Sequence, residues 1–255
     1  MPYALNKGVR IRYELEGSGP PLVLQHWSLA TLEDWYDCGF VDLLKADYRL
    51  ILIDARGHGR SDRPHDPAAY ALSNRVADIV VVLDDLAIDR AHFFGYSMGG
   101  WIGFGVAKYA QDRFHSLVIG GQHPYESNMG PLREVIEYGL EHGMDAFIAH
   151  WEKISGAVSE ERKTRIRASD LEALRAVAGD RDSLEEILPG IAIPCLLIVG
   201  EQDTVFERAK ACASTTPAAT FVSLPGLDHG GVLDRPELVV PHIRRFLSPV
   251  VEGAV

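Results

Sequence analysis

The sequence predicts an α/β domain, a mostly parallel β-sheet with helices packed on both faces. Three observations carry that expectation. Short, nearly continuous apolar runs recur at Leu22-Val23-Leu24, Leu50-Ile51-Leu52-Ile53, Ala91-His92-Phe93-Phe94, Leu117-Val118-Ile119 and Leu196-Leu197-Ile198-Val199, and such runs suit strands buried on both faces. Helix-length segments with apolar residues three to four apart separate several of them, the alternation that a parallel sheet requires. The length of 255 residues fits one such domain with an insertion.

Taken in order, Asn6-Lys7-Gly8 reads as a hairpin turn. Val9, Ile11, Tyr13 and Leu15 then alternate with Arg10, Arg12 and Glu14 as a half-buried strand. After the runs at 22–24 and 50–53, Ser73 is placed to cap a helix whose apolar face is Val76, Ile79, Val80, Leu83 and Leu86. The run at 91–94 passes straight into a helix-like stretch, Trp101 to Ala110. From about Gln122 to Leu188 the rhythm breaks into Glu, Arg, Ala and scattered aromatics, which reads as a helical insertion over one edge of a single continuous sheet. The strand rhythm resumes at Ile193-Pro194-Cys195-Leu196-Leu197-Ile198-Val199. A short strand follows at Thr220 to Leu224, then a helix opening near Arg235-Pro236-Glu237.

Hydrophobic residues at 47% and charged residues at 24% are ordinary globular values, so disordered, collagen-like and coiled-coil classes drop out. With 25 Lys and Arg against 36 Asp and Glu, the formal charge of −11 repels phosphate backbones and anionic lipid. Neither nucleic acid nor a membrane is expected as a partner. Cys38, Cys195 and Cys212 form no CxxC or His/Cys ligand pattern and read as reduced, mostly buried thiols. The first residues lack a basic then apolar leader and no apolar run reaches membrane-spanning length, so a cytoplasmic location is expected.

Gly95-Tyr96-Ser97-Met98-Gly99 matches G-x-S-x-G between an apolar strand and a helix. A strand that turns directly into a helix strains the serine and lifts its hydroxyl above the sheet, and the flanking glycines relieve the crowding. The helix N-terminus that follows offers backbone N–H groups to a developing oxyanion. A serine hydroxyl is a weak nucleophile and needs a histidine base with an acid to orient it. Asp203 follows the 196–199 run in a loop at that strand's C-terminal end, with Glu201 and Asp228 as close rivals. His229, in Leu227-Asp228-His229-Gly230-Gly231, occupies the late glycine-flanked loop such a base requires. His92, His115 and His242 read as strand-end or helix residues, and no histidine pair has metal-ligand spacing beside a carboxylate or Cys. No metal and no cofactor is expected.

On these residues the chain resembles the α/β-hydrolase superfamily, in the branch of small esterases, lactonases, perhydrolases and C–C bond hydrolases, over nearly its whole length. Asp54-Ala55-Arg56-Gly57-His58-Gly59-Arg60-Ser61-Asp62 is similar to that family's D-x-R-G-x-G-x-S-D turn, an architectural segment. The resemblance implies an α/β-hydrolase core at 1–121 and 189–255 with a helical cap at 122–188. It also implies an oxyanion hole of two backbone N–H groups, one from Met98 and one from the loop after Leu22-Val23-Leu24. There the family's His-Gly-x is replaced by Gln25-His26-Trp27-Ser28. Register to Trp35 favours Ser28 over Trp27 as the second donor, and the Trp27 ring either narrows the pocket or packs beneath the loop.

A serine at position 97 directs the reading to acyl chemistry, since an alkyl adduct on it would be an inert ether. The expected activity is cleavage of a small carboxylic ester or lactone through an acyl-enzyme on Ser97. A perhydrolase (haloperoxidase-like) or C–C bond hydrolase shares the same triad, and a receptor-like homologue would use the pocket only to bind a ligand. Candidate substrate contacts are His26, Trp27, Tyr125 and Trp151. Tyr125, Met129, Tyr138, Phe147 and Trp151 fit either an apolar lining or the insertion's own core, while His150, Lys153 and Arg167 either meet an acid group or are solvated.

Overall fold

A computed structural model describes residues 2–252; the expected core segments 1–121 and 189–255 reach beyond it at both ends. The strands are β1 (Tyr3–Asn6), β2 (Val9–Glu16), β3 (Pro21–Gln25), β4 (Arg49–Ile53), β5 (Ala91–Tyr96), β6 (Phe114–Gly120), β7 (Cys195–Gly200) and β8 (Ala219–Leu224). They form one continuous sheet in the order β1-β2-β4-β3-β5-β6-β7-β8. β2 runs antiparallel to both β1 and β4, and every other pairing is parallel. The turn between β1 and β2 carries positive φ at both Lys7 (49°) and Gly8 (88°), as a two-residue hairpin of right-handed strands requires.

The helices are α1 (Asp34–Asp37), α2 (Phe40–Leu44), α3 (Leu72–Asp85), α4 (Met98–Tyr109), α5 (Gly130–His142), α6 (Met144–Ser155), α7 (Glu160–Arg167), α8 (Leu171–Val177), α9 (Phe206–Thr215), α10 (His229–Leu233) and α11 (Pro236–Glu252). Alternate strand residues feed two separate cores, which is why the strand sequences are apolar without alternation. Val23, Ile51, Phe93, Leu117, Ile119 and Leu197 pack on one face with residues of α3, α4 and α9. Leu24, Leu52, Phe94, Val118 and Ile198 pack on the other with Trp35, Phe40, Val240 and Ile243 of α1, α2 and α11.

One expected boundary differs. α3 begins at Leu72, so Ser73 lies inside its first turn and caps nothing; the Asn74 and Arg75 N–H groups already bond to Ala71 O. The chain reaches α3 through a 3₁₀ turn, Pro67–Tyr70, which Asp66 caps instead by accepting from the Ala68 N–H.

α5 to α8 lie between β6 and β7 and share a third apolar cluster that includes Ile136, Phe147, Ile148, Ile166 and Leu174. Leu29, from the loop after β3, is buried in the same cluster. Polar contacts fasten these helices over loops at the C-terminal edge of the sheet. Arg162 meets Asp34 at 3.2 Å, Arg165 pairs with Asp37, Arg63 Nη1 donates to Ala168 O at 2.8 Å and His65 pairs with Asp170 at 2.8 Å. No helix among the described residues is long and apolar enough to cross a membrane.

Candidate active site

Ser97 sits at the single-residue corner between β5 and α4 with φ 52° and ψ −111°, a region that costs a non-glycine residue on the order of 1–3 kcal/mol. The corner is held from both sides: the Ser97 N–H donates to Gly120 O at 2.9 Å, and the Trp101 N–H donates to Ser97 O at 2.9 Å. Only glycine fits beside it. A Cβ on Gly99 would lie 2.1 Å from Gln25 O, and one on Gly95 2.2 Å from Gly99 O. The first turn of α4 is thereby pressed against the end of β3 and the loop that begins at His26.

Asp203 and His229 come together because two loops cross at the end of β7. A Cβ on Gly200 would lie 2.2 Å from Leu227 O, so glycine there lets the second loop cross directly over the first. The Gln202 N–H seals the crossing by donating to Leu227 O at 2.9 Å. His229 Nδ1–H then donates to Asp203 Oδ2 at 2.6 Å. The Asp203 side chain is fully buried and its other oxygen accepts from the Val205 N–H at 3.0 Å, while 44% of the His229 side chain is exposed. With Nδ1 carrying the proton, Nε2 is left as a lone-pair acceptor toward solvent. The rival acids are employed elsewhere: Glu201 is exposed, and Asp228 caps α10 by accepting from the Gly231 N–H at 2.7 Å.

Tyr96, the variable residue before the serine, is a contact that sequence reasoning missed. Its hydroxyl donates to His229 O at 2.6 Å and its ring centroid lies 5.2 Å from the imidazole. Burial, and then Asp203 and Asp228, raise its pKa well above the ordinary tyrosine value, so it remains a donor. Only the position beside Ser97 hinted at this role. Ser97 and His229 both lie against the end of β6, since the Ser97 N–H bonds to Gly120 O and an added Cβ on Gly121 would sit 3.1 Å from His229 Cε1. The Ser97 hydroxyl makes no hydrogen bond among the described residues.

In the loop after β3, Ser28 is part-exposed, and its N–H, like that of Met98, has no acceptor among the described residues. Trp27 packs beneath: its ring stands edge-on to Trp35 at 5.3 Å and to Tyr96 at 6.4 Å. The loop's one strained residue is Leu29, at φ 59°, and not Trp27. Leu29 closes the turn in which the Ala30 N–H donates to Trp27 O, and its side chain is held by the helical cluster above. Asp54 fixes the loop further by accepting from the Leu32 N–H at 2.8 Å and the Arg60 N–H at 2.9 Å.

Three of the expected substrate contacts have partners within the protein. His26 is wholly buried; it accepts from the Ala55 N–H at Nε2 (3.0 Å) and donates from Nδ1 to Trp27 O (2.8 Å). Burial lowers its pKa, so it is a neutral brace of the loop with no ring nitrogen left for a substrate. Tyr125 turns to α9, where Arg208 lies 5.8 Å from its ring. Trp151 packs, with Met144 and Leu140, against the core of the inserted helices. Phe147 is buried in that core and Tyr138 stacks on His142 at 4.2 Å, while Arg167 pairs with Asp145 at the surface.

The family profile for the alpha/beta hydrolase fold matches residues 20–183. In sequence, the chain is 28% identical over 266 aligned positions to a putative 2-succinyl-6-hydroxy-2,4-cyclohexadiene-1-carboxylate synthase of Bacillus subtilis (strain 168), covering 94% of this chain and 96% of that protein. In structure it resembles a hydrolase from Pseudomonas aeruginosa PA01 with a TM-score of 0.85 at 27% identity, covering 97% of this chain and 98% of that one. It also resembles the enol-lactonase from Burkholderia xenovorans LB400 with a TM-score of 0.84 at 25% identity, covering 97% and 100%.

Proposed function

Since the chain belongs to the α/β-hydrolase fold family, we propose that it is a serine hydrolase that cleaves a small carboxylic ester or lactone through an acyl-enzyme on Ser97. The observation that carries this reading is the 2.6 Å bond from His229 to the buried Asp203, in loops that border the strained corner at Ser97. The likeness to an enol-lactonase supports the lactone half of it.

His229 Nε2 takes the Ser97 proton as Ser97 Oγ attacks the carbonyl carbon, and Asp203 stabilises the imidazolium that results. The N–H groups of Met98 and Ser28 hold the tetrahedral oxyanion. His229 returns the proton to the departing alkoxide, and the acyl-enzyme is then hydrolysed by a water that His229 deprotonates. Residues 122–188 act as a helical cap that shapes the substrate pocket through Leu29. The cycle needs no metal or cofactor.

Turnover of p-nitrophenyl acetate is the test, with the adduct of a fluorophosphonate located by mass spectrometry. Folded Ser97→Ala is expected to lose activity by about 10³-fold or more and to take up no label. Unchanged turnover in that variant would overturn the assignment.

A further inference from the structure

A cavity of about 400 Å³ lies on the outer side of α4, under the segment that leads out of α8; Tyr70, Leu72, Arg75, Trp101, Val177 and Arg181 are among its walls. Two guanidinium groups gather on one indole: Arg181 Cζ is 4.9 Å and Arg75 Cζ 5.7 Å from the Trp101 ring. Arg75 is 6% exposed. Its donors go to Tyr70 O at 2.9 Å, Val177 O at 3.0 Å and the weak thioether acceptor of Met98 at 3.6 Å, and none goes to a carboxylate. The Arg181 guanidinium donates to no acceptor among the described residues. Trp101 Nε1 is buried without a partner, on a residue 9% exposed.

Three of the nearby acids are already taken, and the fourth stands at the rim. Asp78 receives Arg56 Nε at 2.6 Å and Asn6 at 2.8 Å. Asp180 receives Arg133 and the Met129 N–H, each at 2.8 Å, Glu186 pairs with Lys108 at 2.9 Å, and Asp182 stands exposed at the rim. Buried charges are costly unless paired, and here two like charges gather on one indole ring, in a chain whose formal charge is −11.

We propose that this cavity binds the carboxylate of a small organic acid between Arg75 and Arg181. The forked donors of arginine match a carboxylate; Tyr70, Leu72 and Val177 supply apolar wall for the body of the acid, and the volume is that of a small-molecule site. Burial, and next the field of Arg181, pull the Arg75 pKa down to about 9, and burial pulls that of Arg181 down to about 10. An arriving anion would relieve both. Arg75 links the cavity to the residue after Ser97 through its contact with Met98 Sδ.

The inference does not rest on the hydrolytic reading, because binding is measured without turnover. Calorimetric titration of the full chain with succinate and with benzoate, each against its neutral amide, is expected to show binding of at least one acid and of neither amide. Affinity should fall about tenfold or more in Arg75→Met and in Arg181→Met. Since Arg75 also braces two backbone carbonyls, Arg181→Met, which removes no side-chain hydrogen bond among the described residues, is the decisive variant. Competition with p-nitrophenyl acetate would assign the site to an acidic end of the substrate, and binding without competition to a separate effector; both support the proposal. Equal binding of acid and amide, absence of binding by both acids, or full affinity in Arg181→Met would overturn it.

Discussion

The Tyr96 hydroxyl holds the main chain of His229 at 2.6 Å, while Asp203 holds the imidazole of the same residue at 2.6 Å from another strand end. His229 is therefore gripped at two points. Tyr96→Phe keeps the ring against His229 and Trp27 and removes only the donor. We expect a stability loss of about 0.5–1.5 kcal/mol, together with a fall of about tenfold in kcat, equivalent to ~1.4 kcal/mol, at little-changed KM. Urea titration and steady-state ester hydrolysis measure both, and an unchanged kcat would show that Asp203 suffices to position the base.

The two aspartates near His229 should separate cleanly. Asp203→Asn presents the wrong partner to Nδ1–H and is expected to lower kcat/KM by about 10³–10⁴-fold. Asp228→Ala loses the cap of α10, costs about 0.5–2 kcal/mol of stability and leaves most of the turnover. The reverse ranking would transfer the acid role to Asp228.

Strain at Ser97 predicts that the glycine preference of a helix N-terminus is reinforced there. At φ 52° and ψ −111° a Cβ is unfavourable, so Ser97→Gly should be more stable than Ser97→Ala by about 1 kcal/mol, with both variants inactive. Thermal unfolding of the pair decides it; equal or reversed midpoints would mean that the corner stores no strain.

Two histidines outside the site should govern acid stability. Burial lowers the pKa of His92 and of His123 from 6.5 to about 4. Both are thus neutral in the folded protein, while the unfolded chain takes up protons as pH falls below about 6.5. The stabilisation is complete above that value and is lost as pH falls toward 4, with a slope of up to ~1.4 kcal/mol per pH unit for each group. His92→Gln keeps a polar partner for Ser116, which His92 now meets at 2.8 Å. It should flatten the difference in urea midpoint between about pH 7 and about pH 5; an undiminished difference would place the acid sensitivity elsewhere.

The strands were legible because each is buried on two faces by its neighbours, which leaves a continuous apolar run whatever the fold's details. Ser97 was legible because its corner needs Gly95 and Gly99 within two residues of it, and His229 because its loop needs glycines at fixed offsets. The choice among Glu201, Asp203 and Asp228 was not, since all three are acidic loop residues and only the crossing at Gly200 and Leu227 buries one of them against the imidazole. His26 looked like a pocket residue because a polar ring beside the site reads that way until its two backbone partners, at Ala55 and Trp27, are seen.

Sequence by itself determined the layered α/β architecture, the corner that presents Ser97 and the late loop that carries His229, because these depend on residues close along the chain. Tertiary structure alone decided which carboxylate faces His229, that Tyr96 anchors it, that Leu29 rather than Trp27 takes the strained backbone, and that Arg75 and Arg181 meet on Trp101. Those residues are separated by up to 133 positions, and what joins them is the order in which the strands lie in the sheet.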